Sequence, residues 1–214
     1  MLSQIPTHLI AGPLGAGKTS LIRHLLAQKP AAERWAVLIN EFGQIGLDAA
    51  LLERGEDGIA LAEVAGGCVC CVNGAPFQVG LGRLLRKARP DRLLIEPSGL
   101  GHPAQLLAQL RQPPWRGVLA VQPVLMVLDA AALAAGQALP DVQRQALDEA
   151  GLLLLNKSEG LDAETRARIA DDLPPLPLHW TAQGRLDLAL LPGLAAQALP
   201  MQVDGEFPAA APGD

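Results

Sequence analysis

Gly12-Pro13-Leu14-Gly15-Ala16-Gly17-Lys18-Thr19 follows an apolar run that ends at Ala11, and a helical pattern begins at once with Lys18. The stretch fits G-x-x-x-x-G-K-[ST] in the strand, loop, helix setting that this motif requires. Its glycines let the backbone wrap closely around phosphate with several N–H groups turned inward, and the helix N-terminus adds partial positive charge. Gly12, Gly15, Ala16, Gly17, Lys18, Thr19 and Ser20 are the candidate phosphate-binding residues. Lys18 is expected to bridge the β- and γ-phosphates and Thr19 to ligate Mg²⁺. The alternative, a chance glycine-rich turn, requires four fixed positions to coincide in the right structural setting.

Outward from this loop, apolar runs of strand length alternate with segments of helical period. Strands are expected at 8–11, 36–40, 59–64, 92–96, 124–129, 152–155 and 178–181, and helices at 18–28, 80–89, 103–110, 142–150 and 164–173. Several strands read as unbroken Leu/Ile/Val, as strands buried on both faces do. The pattern predicts an α/β fold in three layers, a mostly parallel sheet flanked by helices, in one domain over residues 1–198. Residues 41–58 lack a clear period and read as a loop region, and 199–214 read as a loose Pro/Gly/Ala-rich tail.

Composition bounds the function. The 214 residues carry 17 Lys+Arg against 22 Asp+Glu, a net charge of −5, and aromatic residues make only 3%. The acidic balance, with no basic run and few stacking rings, argues against a nucleic-acid partner. No apolar stretch approaches the ~20 residues of a membrane span. Met1 to Thr7 has neither a basic start nor an apolar core, so the chain reads as cytoplasmic.

Two further strand ends carry chemistry. Leu152-Leu-Leu-Leu-Asn156-Lys157-Ser158-Glu159 ends a buried strand on the edge where α/β sheets bind ligands. It resembles the guanine-reading N-K-x-D motif, in which the carboxylate accepts two N–H bonds from the base and the lysine packs along it. Glu159 in place of Asp loosens that geometry, so guanine is favoured over adenine without being secured; ordinary turn chemistry is the alternative. Thr181-Ala-Gln-Gly184 resembles the loop that closes on the base. Arg92-Leu-Leu-Ile-Glu96 ends in a carboxylate able to hold Mg²⁺ through water, and Gly99 just beyond can meet the γ-phosphate with its N–H. Lys18, Glu96 and Gly99 are therefore the candidate catalytic set, and an exposed strand-end acid is the plain alternative for Glu96.

All three cysteines, Cys68, Cys70 and Cys71, lie within four residues. Such a cluster cannot build a disulfide framework and points to metal or redox chemistry. In an extended segment Cys68 and Cys70 face the same way, and Cys71 is able to turn in at the bend. Thiolates suit Zn²⁺ first, then Co²⁺, Ni²⁺ or Cu⁺, with a further ligand needed to complete four-coordination. A buried inert thiol cluster and a redox site are the alternatives.

Together GPLGAGKT (12–19), VLINEFGQIGLD (37–48), GGCVCC (66–71), LLIEPSGLGHP (93–103) and LNKSE (155–159) resemble the CobW-type metallochaperone GTPases, relatives of the UreG and HypB nickel-insertion GTPases. The likeness runs from about Thr7 to Gly184, and GGCVCC beside a phosphate loop is its most discriminating part. It implies a GTP-dependent metal carrier with switch regions at 40–48 and 96–103, a C-x-C-C metal site and a client metalloprotein. A nucleotide-dependent homodimer follows by analogy. Gln44 stands where the family carries an acid, and His102 where it carries Asp before Pro. His102 is thus a candidate extra metal ligand, against a plain solvated histidine at a helix start, and Glu41 a candidate ligand for the carried metal or Mg²⁺. The family's His-rich linker and second domain are not expected in a chain with no histidine after His179.

The expected mechanism is that GTP with Mg²⁺ draws both switches in through the γ-phosphate, and hydrolysis releases them and changes metal affinity. A hundredfold change in metal affinity needs a coupling of ~2.7 kcal/mol. No general base is identifiable, so unaided turnover is expected to be slow. Two rivals share the phosphate loop: a small-molecule kinase, which has no use for the cysteines, and a non-hydrolysing metal-binding regulator.

Overall fold

The computed structural model describes residues 2–42, 53–54, 58–66 and 75–194. In chain order it runs β1 (Ile5–Ala11), α1 (Lys18–Ala27), β2 (Trp35–Phe42), β3 (Glu53–Arg54), β4 (Ile59–Gly66), α2 (Ala75–Ala88), β5 (Arg92–Glu96), α3 (Pro103–Leu110), β6 (Leu119–Val121), β7 (Val124–Asp129), α4 (Ala130–Ala134), α5 (Asp141–Arg144), β8 (Ala150–Asn156), α6 (Ala163–Asp171) and β9 (Leu178–Trp180). Among the described residues the strands form one sheet in the order β3-β4-β2-β5-β1-β7-β8-β9, with β6 also on β1. Every pairing is parallel except β3 with β4. The expected three-layer α/β architecture is what the chain adopts.

Period-2 alternation sorts each strand between two cores. Leu9, Leu38, Leu93, Ile95, Leu153 and Leu155 pack with residues of α2, α3 and α6 on one face. Ile10, Trp35, Val37, Leu94, Val127 and Leu154 pack on the other with Leu21, Ile22 and Leu25 of α1 and with Leu186 and Leu191. Burial on both faces is why these strands lack the polar alternation of a half-exposed sheet. After β1 the chain builds one side of the sheet, returns through β5 beside β1, and crosses to β7 on the far side. The carboxyl end of β1 is therefore a topological switch point, the place where open α/β sheets bind ligands.

Several expectations need correction. The helix expected at 80–89 starts at Ala75, because Phe77, Leu81, Leu84, Leu85 and Ala88 form one buried stripe that the glycines at 80 and 82 do not interrupt. The helix expected at 142–150 is α5, then a short 3₁₀ turn at Leu147–Glu149, and Ala150 already belongs to β8. Pairing of Ala150 with Val124 across a register irregularity outcompetes helix continuation. β6 went unrecognised because Gln122-Pro123 splits it from β7, yet both lie along β1, Ile5 opposite Leu119 and Ile10 opposite Leu125. α4 was also missed, although Asp129 caps it by accepting from the Ala132 N–H at 2.9 Å. Of the expected loop region 41–58, Glu41 and Phe42 end β2 and Glu53–Arg54 form β3. Its remaining residues other than Gly58, and the expected tail, lie outside the described residues. No helix among the described residues is long and apolar enough to cross a membrane.

The sheet interior also holds a titratable group. His8 is buried at 1% exposure, and Arg92 Nη1 donates to its Nε2 at 2.7 Å. Burial, and then the Arg92 charge, push its pKa from 6.5 down to about 3. The folded protein thus keeps His8 neutral while the unfolded chain binds a proton below 6.5, so stability falls as pH drops from 6.5 toward 3. Between pH 7 and pH 5 the loss from this group is about 2 kcal/mol. Urea unfolding at the two pH values should show a His8→Gln variant losing correspondingly less stability than the wild type.

Candidate functional site

Lys18, Thr19, Ser20, Glu96 and Gly99 line one cavity of about 370 Å³ at the carboxyl edge of β1 and β5, with Gly15 and Gly17 on its rim. Each is brought there by a short step from a strand end. The loop after β1 reaches α1 through Gly17, whose φ of 102° is a left-handed conformation that suits glycine. A Cβ at Gly17 would also overlap Asn156 Nδ2, so the loop and the end of β8 touch at that point. Lys18 is buried, and its Nζ donates to the Pro13 carbonyl at 3.0 Å, which holds the ammonium inside the loop. Gly12 lies against the Val127 carbonyl of β7, and Ala16 is fully buried beneath the loop.

Thr19 donates its hydroxyl to both carboxylate oxygens of Glu96, at 2.9 and 3.1 Å. One hydroxyl and one carboxylate at the mouth of a phosphate loop make the hard oxygen pair that Mg²⁺ takes, so these residues fit that ion. Gly99 packs directly on the phosphate loop: a Cβ there would overlap the backbone of Leu14.

Asn156 joins the two halves of the site. Its Nδ2 donates to the Ala16 carbonyl at 2.8 Å and its Oδ1 accepts from the Gly184 N–H at 2.8 Å, with the side chain buried. The phosphate loop and the 181–184 loop are thereby fixed to one amide. Ser158 anchors the same loop, donating from both its N–H and its hydroxyl to the Thr181 carbonyl, at 3.1 and 2.9 Å. Lys157 sits at φ 58° and directs its ammonium to Asp129 at the end of β7. Burial would raise the Asp129 carboxyl, but its hydrogen bonds from Lys157 and from the Ala132 backbone outweigh that and hold it below the ordinary carboxylate range. Glu159 is exposed.

The metal-ligand candidates are less assembled. Glu41 lies on β2 with its backbone opposite Ala65, and its side chain is outside what the structure describes. β4 ends at Gly66, and Cys68, Cys70 and Cys71 lie outside the described residues. His102 is half-exposed at the N-cap of α3, without a side-chain capping bond. Among the described residues no three His, Cys, Asp or Glu side chains gather as a metal site.

Sequence reading overlooked Asp129, Gln28 and Gln143. Asp129 ends a buried strand just as Glu96 does, so the signal was present. Gln28 is tied across to the 186–188 segment, donating to Leu186 O at 2.8 Å and accepting from Leu188 N at 2.9 Å, a contact with no sequence signature.

The family profile described as CobW/HypB/UreG, nucleotide-binding domain, matches residues 6–177. The chain is 48% identical over 160 residues to the zinc chaperone YeiR of Escherichia coli, covering 74% of this chain and 48% of that protein. It is 34% identical over 239 residues to the zinc chaperone CobW of Pseudomonas aeruginosa, covering 95% and 63% respectively. The crystal structure of Zn(II)-bound YjiA GTPase from E. coli superposes with a TM-score of 0.63 at 24% identity, over 97% of this chain and 67% of that one, a likeness of fold. The chain therefore spans about half to two thirds of the length of these relatives. With a matching profile over most of its length, and a phosphate loop and strand-end carboxylate around one cavity, the chain belongs to the CobW/HypB/UreG family as a nucleotide-binding domain.

Proposed function

We propose that this chain is the GTP-binding and slowly GTP-hydrolysing unit of a zinc-handling metallochaperone. The observation that carries the reading is the convergence of Lys18, Thr19, Glu96 and Gly99 on one cavity at the sheet's switch point. The zinc assignment draws on relatives whose names are zinc chaperones.

In this reading residues 1–198 form the nucleotide domain. Lys18 and the N–H groups of the loop hold the β- and γ-phosphates, and Thr19 with Glu96 holds Mg²⁺. When bound, that ion neutralises charge on the phosphates. Asn156 keeps the phosphate loop and the 181–184 loop in register, Lys157 lies along the base with its ammonium anchored on Asp129, and Glu159 accepts from the guanine edge. Gly99 senses the γ-phosphate. Cys68, Cys70 and Cys71 carry the cargo metal, zinc first and Co²⁺ or Ni²⁺ as alternatives, with Glu41 and His102 as further ligands. The nucleotide state sets whether that metal is held or passed to a client metalloprotein in the cytoplasm, and a nucleotide-dependent homodimer is a further state of the carrier.

Titration with Zn²⁺, Co²⁺ and Ni²⁺, with and without a GTP analogue, on wild type and Cys70→Ala tests this. Zinc affinity should change by about a hundredfold with the analogue, a coupling of ~2.7 kcal/mol, and should drop sharply in the variant. An affinity indifferent to both nucleotide and substitution overturns the chaperone reading.

A further inference from the structure

Gln143 occupies a position where packing favours a hydrophobe. It lies on α5 in step with Ala146 and Leu147, both buried in the core, and is itself only 1% exposed. Its Nε2 donates to the carbonyl of Gly99 at 3.1 Å and approaches that of Gly101 at 3.5 Å, while its Oε1 has no partner among the described residues. A buried amide that leaves its acceptor unpaired is a poorer core residue than Leu or Met. Its worth lies in the two carbonyls it holds.

Those carbonyls belong to the loop between β5 and α3. The loop is a tight turn, closed by the Gly101 N–H on the Ser98 carbonyl at 2.9 Å, and its Gly99 presses on the backbone of Leu14. The turn is thus wedged between the phosphate loop on one side and the Gln143 amide on the other. A displacement of Gly99 by about 1 Å takes its carbonyl out of hydrogen-bond range of Nε2, so α5 follows the loop or the contact is lost.

We propose that Gln143 is a positioning residue for the loop that senses the γ-phosphate, and that it transmits the state of that loop to α5. The inference rests on the cavity being a nucleotide site. The test compares GDP and a GTP analogue by calorimetry on wild type and Gln143→Met, which keeps the side-chain volume and removes the donors. The variant's preference for the analogue over GDP should fall about tenfold, since a buried hydrogen bond held in the analogue-bound state and released in the GDP-bound state is lost from only one of them. An unchanged preference overturns the proposal, and so does an equal loss for both nucleotides, which marks a merely structural role. A wild-type chain that binds neither nucleotide overturns the nucleotide reading itself, a distinguishable result. Hydrogen exchange on the wild type covers the case in which the variant does not fold. Exchange at 98–103 and at 141–149 should change together between GDP and the analogue, and change at 98–103 alone overturns the coupling.

Discussion

Lys18→Met is expected to weaken binding of GTP about a hundredfold and of GDP about tenfold while leaving the fold intact. The ammonium is buried and held within the loop by the Pro13 carbonyl, so it is positioned before any ligand arrives. Hydrogen bonds to charged groups contribute roughly 1.5–3 kcal/mol each, so loss of contacts to the two phosphates of GTP amounts to about 3 kcal/mol, or a hundredfold, and loss of the single contact to the β-phosphate of GDP to about 1.5 kcal/mol, or tenfold. Methionine keeps the apolar stem that packs at the start of α1, so far-UV circular dichroism should not change. Gly17, the N-cap of that helix, supplies no side-chain cap, which leaves the first-turn N–H groups to a bound anion. Retention of GTP affinity within tenfold in a folded variant contradicts the assignment of the loop.

Asn156→Ala is the second large effect, and it falls on stability as well as binding. The substitution strips the Ala16 carbonyl and the Gly184 N–H of their shared partner in a buried setting. Each orphaned group costs about 1–3 kcal/mol, so a total near 3 kcal/mol is expected, or a fall in Tm of about 6–12 °C for a chain of this size. Asn156→Asp distinguishes the two contacts. It keeps an acceptor for Gly184 but sets a carboxylate against the Ala16 carbonyl, so nucleotide affinity should fall further than the retained hydrogen bond alone suggests. Thermal unfolding and nucleotide titration of both variants check this, and an alanine variant as stable as the wild type contradicts the bridging role.

The central part of the fold was legible because its signals are local or periodic. The phosphate loop announces itself in eight consecutive residues, and β5, β7 and β8 hold unbroken apolar runs because both sheet faces are covered. Glu96 was readable as a strand-end acid, although its partnership with Thr19 spans 77 positions in sequence. What escaped depends on tertiary competition. The 142–150 stretch has a helical period, but its end is claimed by β8 through pairing with Val124. Asp129 as the anchor of the Lys157 ammonium was not readable, since two strand ends that neighbour each other in the sheet are far apart in the chain. Gln143 stood on an otherwise apolar stripe, a signal visible in sequence, but only the fold shows that it faces the carbonyls beyond β5.

Titration of the wild-type chain by GTP, GDP and ATP in a calorimeter, with Mg²⁺ present, tests the guanine-nucleotide site most directly. One saturable site for GTP and GDP is expected, with ATP binding at least about tenfold weaker, the consequence of losing at least one good hydrogen bond at the base. Equal affinity for ATP, or no saturable binding of any nucleotide, would contradict that expectation.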